Sequence, residues 1–300
     1  MTNVECNLCQ SPRFDFLFSI PDLWFDRKSV TADFVRCRRC GLVFQHPLLD
    51  AQAYPDLYAQ GYPPSPGLKD RLHSHGLLKR SRIILKYCSQ GRLLDVGCGS
   101  GEFLRFFRER FHWQVAGIEP DSAMADHLRN ELGLDVFAES LEQAVLEEDS
   151  FDVVTMWDVL EHLPDPTAGM RIVHRILRPE GIVVLRLPNL DSWDAKWFGK
   201  YWAGYDAPRH FYVFGRNQIR ALLDKTGFEI LGMQTNIGNT LNFIKSVQFF
   251  LTGKGVNSGM AKLIIRTLKW LPVRALLTIF LAIRDIGLRG SEMVIVARPR

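Results

Sequence analysis

From Arg92 to Asn189 the chain alternates short apolar runs with amphipathic stretches. The runs RLLDVG, QVAGIEP, LDVFA, FDVVTMW and GIVVLRLPN predict five strands. Between them, GEFLRFFRERF, SAMADHLRNEL and TAGMRIVHRIL carry apolar residues at helical spacing, and the acidic LEQAVLEE predicts a further short helix. Apolar strands separated by amphipathic helices predict a parallel sheet covered on both faces, an α/β domain. Upstream, Leu72, Leu77, Leu78, Ile83, Ile84 and Tyr87 predict a helix leading into that domain. Downstream follow a helix over 216–226, the strand GFEILGMQT and a closing strand, EMVIVARP. Residues 236–290, between those last two strands, must fold outside the sheet as a helical insertion.

The flanks divide the chain further. Residues 1–50 bear cysteines in a small module; residues 51–68, with four prolines, read as a linker; residues 69–300 form the main domain. Within it, 191–215 is crowded with aromatics, including Trp193, Trp197, Tyr201, Trp202, Tyr205, Phe211, Tyr212 and Phe214. Aromatic walls around Asp206, Arg209 and His210 predict a ligand pocket or its cap, with an aromatic minicore as the alternative.

Composition narrows the classes. A net charge of +4 over 300 residues is too weak to argue for nucleic acid. Six cysteines are no disulfide scaffold. MTNVECNLCQ has no apolar core of a signal peptide, and no run reaches the ~18–20 apolar residues of a membrane span. The expected location is cytoplasmic, with peripheral contact at the inner face of a membrane as an option.

The segment LLDVGCGSGEFL sits where the first strand of the main domain turns into a helix, the nucleotide-binding position of a doubly wound sheet. Its spacing is G-x-G-x-G, through Gly97, Gly99 and Gly101, and departs from the G-x-G-x-x-G of dinucleotide sites. No Gly-Lys-Ser/Thr follows, and Glu102 at the helix start would repel a pyrophosphate. Asp95 instead suits a cationic amino group, and Glu119, ending the second strand, can accept both hydroxyls of a ribose. Glu139 or Ser140, after the third strand, would meet an adenine edge. Together these describe S-adenosylmethionine.

On LLDVGCGSG, VAGIEPD, FDVVTMWDVLEHLPDP and LRPEGIVVLRLPN, in that order, the chain resembles the class I S-adenosylmethionine-dependent methyltransferases over roughly residues 90–190. The resemblance implies a Rossmann-like seven-stranded sheet. It implies that Asp95, Gly97, Gly99 and Gly101 hold the methionine part, with the backbone of Cys98 beside them. Glu119 and Pro120 would lie at the ribose, Glu139 and Ser140 near adenine, and Trp157 and Asp158 along the site.

Cys6, Cys9, Cys37 and Cys40 form C-x₂-C…C-x₂-C, two knuckles supplying the four thiolates of a structural zinc-ribbon-like site. The intervening loop is longer than the usual ~15–20 residues. Four thiolates leave no open position for a water, which excludes a catalytic metal there.

Two histidines compete as general base for a hydroxylated acceptor. His162 lies in DVLEHLPDP, whose LEH also occurs in methyltransferases of quinone biosynthesis; His210 lies in the aromatic segment and is favoured, with Arg209 available for an anionic acceptor. In the insertion, Lys262, Arg266 and Lys269 recur opposite Leu263, Ile264, Leu268 and Leu271, and ALLTIFLAI follows uninterrupted. Residues 260–287 can lie on an anionic membrane, cover the site or form a dimer face. The expected function is methylation, at oxygen, of a small or lipid-linked hydroxylated acceptor such as a sugar, glycolipid or quinone-like compound. The alternatives are a nucleic-acid methyltransferase using Arg36, Arg38 and Arg39 of the cysteine module, and a non-catalytic cofactor-binding scaffold.

Overall fold

The computed structural model describes residues 5–48, 71–236 and 239–300. The linker expected over 51–68 lies outside the described residues. Strands β4 (Arg92–Val96), β5 (Gln114–Ile118), β6 (Asp135–Phe137), β7 (Phe151–Trp157) and β8 (Leu177–Pro188) pair in parallel. With β10 (Phe228–Asn236) and β11 (Glu292–Pro299) they make one sheet, ordered β10-β11-β8-β7-β4-β5-β6. β11 runs antiparallel to both neighbours. The helices between strands are α2 (Glu102–Phe111), α3 (Ser122–Leu132), α4 (Pro166–Ile176) and α6 (Arg216–Lys225); α1 (Arg71–Leu85) precedes the sheet. The seven-stranded Rossmann-like expectation is met.

Consecutive residues of a strand point to opposite faces, and the two cores follow that period. Leu93, Val153, Val184 and Val294 pack with Leu77 and Ile84 of α1, Phe103 and Phe107 of α2 and Leu128 of α3. Leu94, Val154, Leu185 and Ile295 pack on the other face with Met170 and Val173 of α4 and Leu222 and Leu223 of α6. LEQAVLEE is not a helix: Leu141, Ala144 and Leu146 are buried as anchors of an irregular, turn-containing segment. With only eight residues and acids at 142, 147 and 148, the segment is too short for the costly first turn of a helix to propagate.

The cysteine module joins this second core. Cys6, Leu8, Cys37, Leu42 and Phe44 belong to the same cluster as α4 and α6. Its strands β1 (Phe14–Asp22), β2 (Arg27–Cys37) and β3 (Val43–Gln45) are antiparallel, and β9 (Tyr212–Val213) from the aromatic segment completes the sheet. A third cluster unites Phe34 and Val43 of the module with Trp202, Tyr205 and Val213.

The aromatic segment therefore mostly builds cores. Trp202, Tyr205, Phe211, Tyr212 and Phe214 are buried among other side chains, which is the minicore alternative. It contains one short α-helix, α5 (Trp193–Phe198), followed by two 3₁₀ turns at Gly199–Tyr201 and Ala203–Tyr205. The insertion folds as α7 (Thr240–Gly253), α8 (Ser258–Lys269) and α9 (Leu271–Arg284).

Candidate functional site

A cavity of about 610 Å³ opens at the carboxyl ends of β4, β7 and β8, where ligands of doubly wound sheets sit. Its floor is the turn between β4 and α2. Gly97, Gly99 and Gly101 adopt φ of 68°, 52° and 69°, a left-handed region that side chains with a Cβ rarely enter. The spaces around them differ. Gly97 and Gly99 both line the cavity, but a Cβ on Gly97 would stand 2.8 Å from Val159, whereas one on Gly99 would meet nothing within 4 Å. Gly101 is absent from the lining; a Cβ there would strike Leu128 and Leu134 at 2.8 Å, so its bareness lets α2 approach α3. The Cys98 side chain packs on Gly117, and the amides of Gly97 and Cys98 both donate to the Ile118 carbonyl.

Around the turn sit two carboxylates. Asp95 lines the cavity and accepts the Thr155 hydroxyl at 2.5 Å. Burial pushes its pKa up to about 7 despite that bond and the nearby Arg80. Glu119 accepts the Gly99 amide at 2.8 Å and the Asp121 amide at 3.0 Å; burial raises its pKa as well. Two accepted bonds leave a carboxylate further lone pairs for hydroxyl donors. Glu119, Pro120, Glu139 and Ser140 lie outside the cavity lining; Pro120 and Glu139 are exposed. The Glu119 amide donates to the Phe137 carbonyl, so the β5 and β6 ends that carry these four residues are neighbours.

On the opposite wall, Trp157 stands between two guanidiniums, Arg80 at 5.1 Å and Arg186 at 5.7 Å from its ring, and edge-on to Phe103. Asp158 forms a bidentate pair with Arg186, one contact at 2.9 Å and the other shorter. Burial alone would raise the pKa of Asp158, but Arg186 holds it below the usual carboxylate range. Arg80, brought in by α1, has its pKa lowered to about 10 by burial and by Arg186. Sequence reasoning missed Arg80. It is one polar position on an amphipathic helix, and only the packing of α1 turns it toward Asp95.

Both histidines line the far end of the cavity, their rings edge to face at 4.6 Å. His162 Nδ1 lies 3.0 Å from the Arg209 carbonyl; a carbonyl only accepts, so Nδ1 carries the proton. Burial and the neighbouring His210 push its pKa down to about 3, and it stays neutral. By the same logic His210 donates Nδ1–H to the Gly204 carbonyl at 2.9 Å. Its Nε2 then carries the lone pair, 3.9 Å from Glu161 and 3.7 Å from Asp206. Glu161 is fully buried and neither of its oxygens has a hydrogen-bond partner among the described residues; burial and Asp158 push its pKa well up.

Arg209 does not serve as the anion-binding group expected above. It is fully buried and bound to Asp22 at 3.0 and 3.1 Å and to Asp206 at 2.9 Å, with its guanidinium over Phe25. It clamps the cysteine module to the aromatic segment. The β1–β2 turn there adds Trp24 to the cavity wall.

The thiols of Cys6, Cys9, Cys37 and Cys40 lie within 4.8 Å of one another, with Cys6–Cys40 and Cys9–Cys37 each at 3.5 Å. Tetrahedral zinc with bonds of about 2.3 Å needs sulfurs roughly 3.8 Å apart, so the set fits. Burial pushes the Cys6 thiol up to about 11, a cost that a dication among the sulfurs would reverse. The first knuckle docks on the main domain: Asn7 bonds Asp165 and Thr167, and Lys225 reaches the carbonyls of Asn7 and Leu8. The second is held by Gln218 on the Cys40 carbonyl at 2.6 Å.

This strand order, with a glycine turn after the first strand and a cavity above it, defines the Rossmann-like methyltransferase fold. A family model described as a methyltransferase domain matches residues 71–232, and the chain belongs to that family. It is 38% identical over 104 residues to the ubiquinone biosynthesis O-methyltransferase of Xanthomonas oryzae pv. oryzae (strain PXO99A), covering 33% of this chain and 43% of that one. The Neisseria meningitidis serogroup A protein of the same name is 33% identical over 105 residues, 33% of this chain and 44% of its own. The match thus spans less than half the length of these relatives. Among solved structures, a SAM-dependent methyltransferase from Archaeoglobus fulgidus aligns with a TM-score of 0.50 at 17% identity, over 83% of this chain and 100% of that one. The [4+2]-cyclase SpnF aligns at 0.51 and 18%, over 82% and 93%. These two likenesses are of fold alone.

Proposed function

We propose that the protein is an S-adenosylmethionine-dependent methyltransferase acting at a hydroxyl of a small or lipid-linked, quinone-like acceptor. One observation carries the reading: a single cavity runs from the Gly97–Gly101 turn to the two histidines, so a bound cofactor and an acceptor would face each other inside it. The curated relatives' name, ubiquinone biosynthesis O-methyltransferase, supports oxygen as the target and a quinone-like ring as the acceptor.

The donor set suits the cofactor. Asp95 would take the ammonium and Arg80 the carboxylate of the methionine part, against the bare backbone of Gly97, Cys98 and Gly99. Gly101 would shape that turn. Glu119 would take the ribose with Pro120 beside it, Glu139 and Ser140 would stand toward adenine, and Trp157 and Asp158 would wall the site. S-adenosylmethionine supplies an electrophilic methyl group on a sulfonium.

The chain's own task is to hold the acceptor oxygen in near-attack geometry and to remove its proton. His210 takes that proton at Nε2, because the Gly204 carbonyl fixes the proton already on Nδ1. Asp206 faces Nε2 and would stabilise the imidazolium. His162, held neutral, orients the ring of His210. The four cysteines would hold structural zinc; none of them lines the cavity.

The test compares lipid and metabolite extracts from cells with and without the gene by mass spectrometry. A hydroxylated precursor should accumulate on deletion, and purified protein with S-adenosylmethionine should convert it to a product one methylene heavier. If no such species appears, the acceptor assignment fails.

A further inference from the structure

The insertion is anchored at its base and bare on its outer side. Ile244 and Phe249 of α7 are buried, and Ser246 accepts the Ala203 amide at 3.0 Å. Asn239 and Asn242 each donate to Glu292 at 2.8 Å, and Arg284 at the end of α9 pairs with buried Asp194 at 2.6 Å. Beyond these ties the three helices pack on one another and thinly elsewhere: α8 has no buried side chain, and in α9 only Leu281 is buried.

Most of the exposed large apolar side chains among the described residues nevertheless fall within 241–286. Leu276, Ile279, Phe280 and Ile283 are all more than half exposed and stand at i, i+3, i+4 and i+7, one stripe of α9. Trp270 and Leu271, at the α8–α9 elbow, are 63% and 76% exposed. Patches this large on a soluble surface mark an interaction site. Its charge is one-sided. From Thr240 to Arg284 the sequence contains no Asp or Glu, while Lys262, Arg266 and Lys269 line α8 and Arg274 begins α9. α8 and α9 are not a lid, since Asn242 is the only residue of 240–286 in the cavity wall.

We propose that α8 and α9 dock the protein in the plane of an anionic lipid bilayer, with the apolar stripe entering the acyl boundary and the lysines and arginines meeting headgroup phosphates. An apolar face rimmed only by cations fits that surface; a face for a second copy of the chain would set these cations against each other. No helix among the described residues is long and apolar enough to cross a membrane, so the contact is peripheral. α7, against which α8 and α9 pack, carries Asn242 on the cavity wall, so a lipid-borne acceptor could enter the cavity from the docked side. Docking itself does not depend on the proposed methyl transfer.

The experiment is co-sedimentation of the intact protein with vesicles of phosphatidylcholine alone and of equal parts phosphatidylcholine and phosphatidylglycerol. Binding should be confined to the anionic vesicles and weaken with salt. The triple variant Lys262→Glu, Arg266→Glu, Lys269→Glu should lose on the order of tenfold or more of it. The variant Leu276→Ser, Ile279→Ser, Ile283→Ser should lose binding at every salt concentration. Calorimetric binding of S-adenosylhomocysteine, measured without vesicles, should be the same for wild type and both variants, showing that they are folded. No binding to anionic vesicles, equal binding by the variants, or a stable dimer that the serine variant dissolves would overturn the proposal. Absence of S-adenosylhomocysteine binding alongside intact vesicle binding would count against the proposed function alone.

Discussion

Gln45, the last residue of β3, donates its side-chain Nε2 to the carbonyl of His210 at 2.7 Å. The same nitrogen reaches the Pro208 carbonyl at 2.8 Å, and the Gln45 amide bonds the Phe211 carbonyl. The strand that ends the cysteine module thus holds the backbone on both sides of the proposed base. Gln45→Leu should lower kcat severalfold or more while leaving S-adenosylhomocysteine affinity unchanged, because the cofactor turn lies elsewhere. Steady-state kinetics beside calorimetry separates the two; a parallel loss of affinity would mean the module supports the whole domain.

Asp95 gives a pH dependence. Its folded pKa, about 7, lies above the ordinary carboxylate value, so the folded protein is favoured at low pH and pays for ionisation as pH rises through 7. A cofactor ammonium needs the ionised form, so S-adenosylhomocysteine should bind more weakly as pH falls below 7. Asp95→Asn keeps an acceptor for Thr155; it should stabilise the free protein at pH 8 by on the order of 1–2 kcal/mol and weaken cofactor binding. Thermal melts with and without ligand check both signs.

Removal of metal should act through stability. Purified protein should carry one zinc per chain by elemental analysis, and chelation should lower the melting temperature and reduce kcat. Replacing Cys37 with Ser should abolish the bound zinc. A metal-free protein melting at the same temperature would refute a structural site.

His210→Ala should reduce kcat by about 10²–10⁴ with cofactor affinity retained, the usual loss for a general base. His162→Asn, which keeps a donor for the Arg209 carbonyl, should cost clearly less. The reverse order would exchange the two roles.

Arg209 tests the clamp. Arg209→Met removes the guanidinium shared by two buried carboxylates, Asp22 and Asp206, while Asp22 keeps Arg27 at 2.6 Å, and should destabilise by about 3 kcal/mol, read from denaturant unfolding. Arg209 holds the pKa of Asp22 below the usual range against the cost of burial, so this stabilisation is present at neutral pH and fades as pH falls through the acid range.

The sheet was legible because its strands carry the period-two and continuous apolar patterns that burial on two faces demands, and the turn because closely spaced glycines stand where a strand gives way to an amphipathic helix. The paired CxxC knuckles were equally readable. Residues that reach the cavity through tertiary packing left no local signal: Arg80 comes from α1, and Trp24 from a turn of the module. Glu161 stood in plain view beside His162, yet nothing in LEH tells that it is buried facing His210. The aromatics of 191–215 left two readings open for the opposite reason. A ring that seals a core and a ring that walls a pocket have the same composition; here the rings at 202, 205, 211, 212 and 214 are buried, while Gly204, Asp206 and His210 of the same segment line the cavity.

The most direct measurement is a calorimetric titration of the purified, zinc-loaded protein with S-adenosylmethionine and S-adenosylhomocysteine. Both should bind in the micromolar range, at one site per chain, and Gly99→Asp, which sets a side chain and a negative charge at the cavity edge, should abolish binding without lowering zinc content. No heat of binding up to millimolar ligand, from protein shown to be folded, would refute the assignment as a methyltransferase.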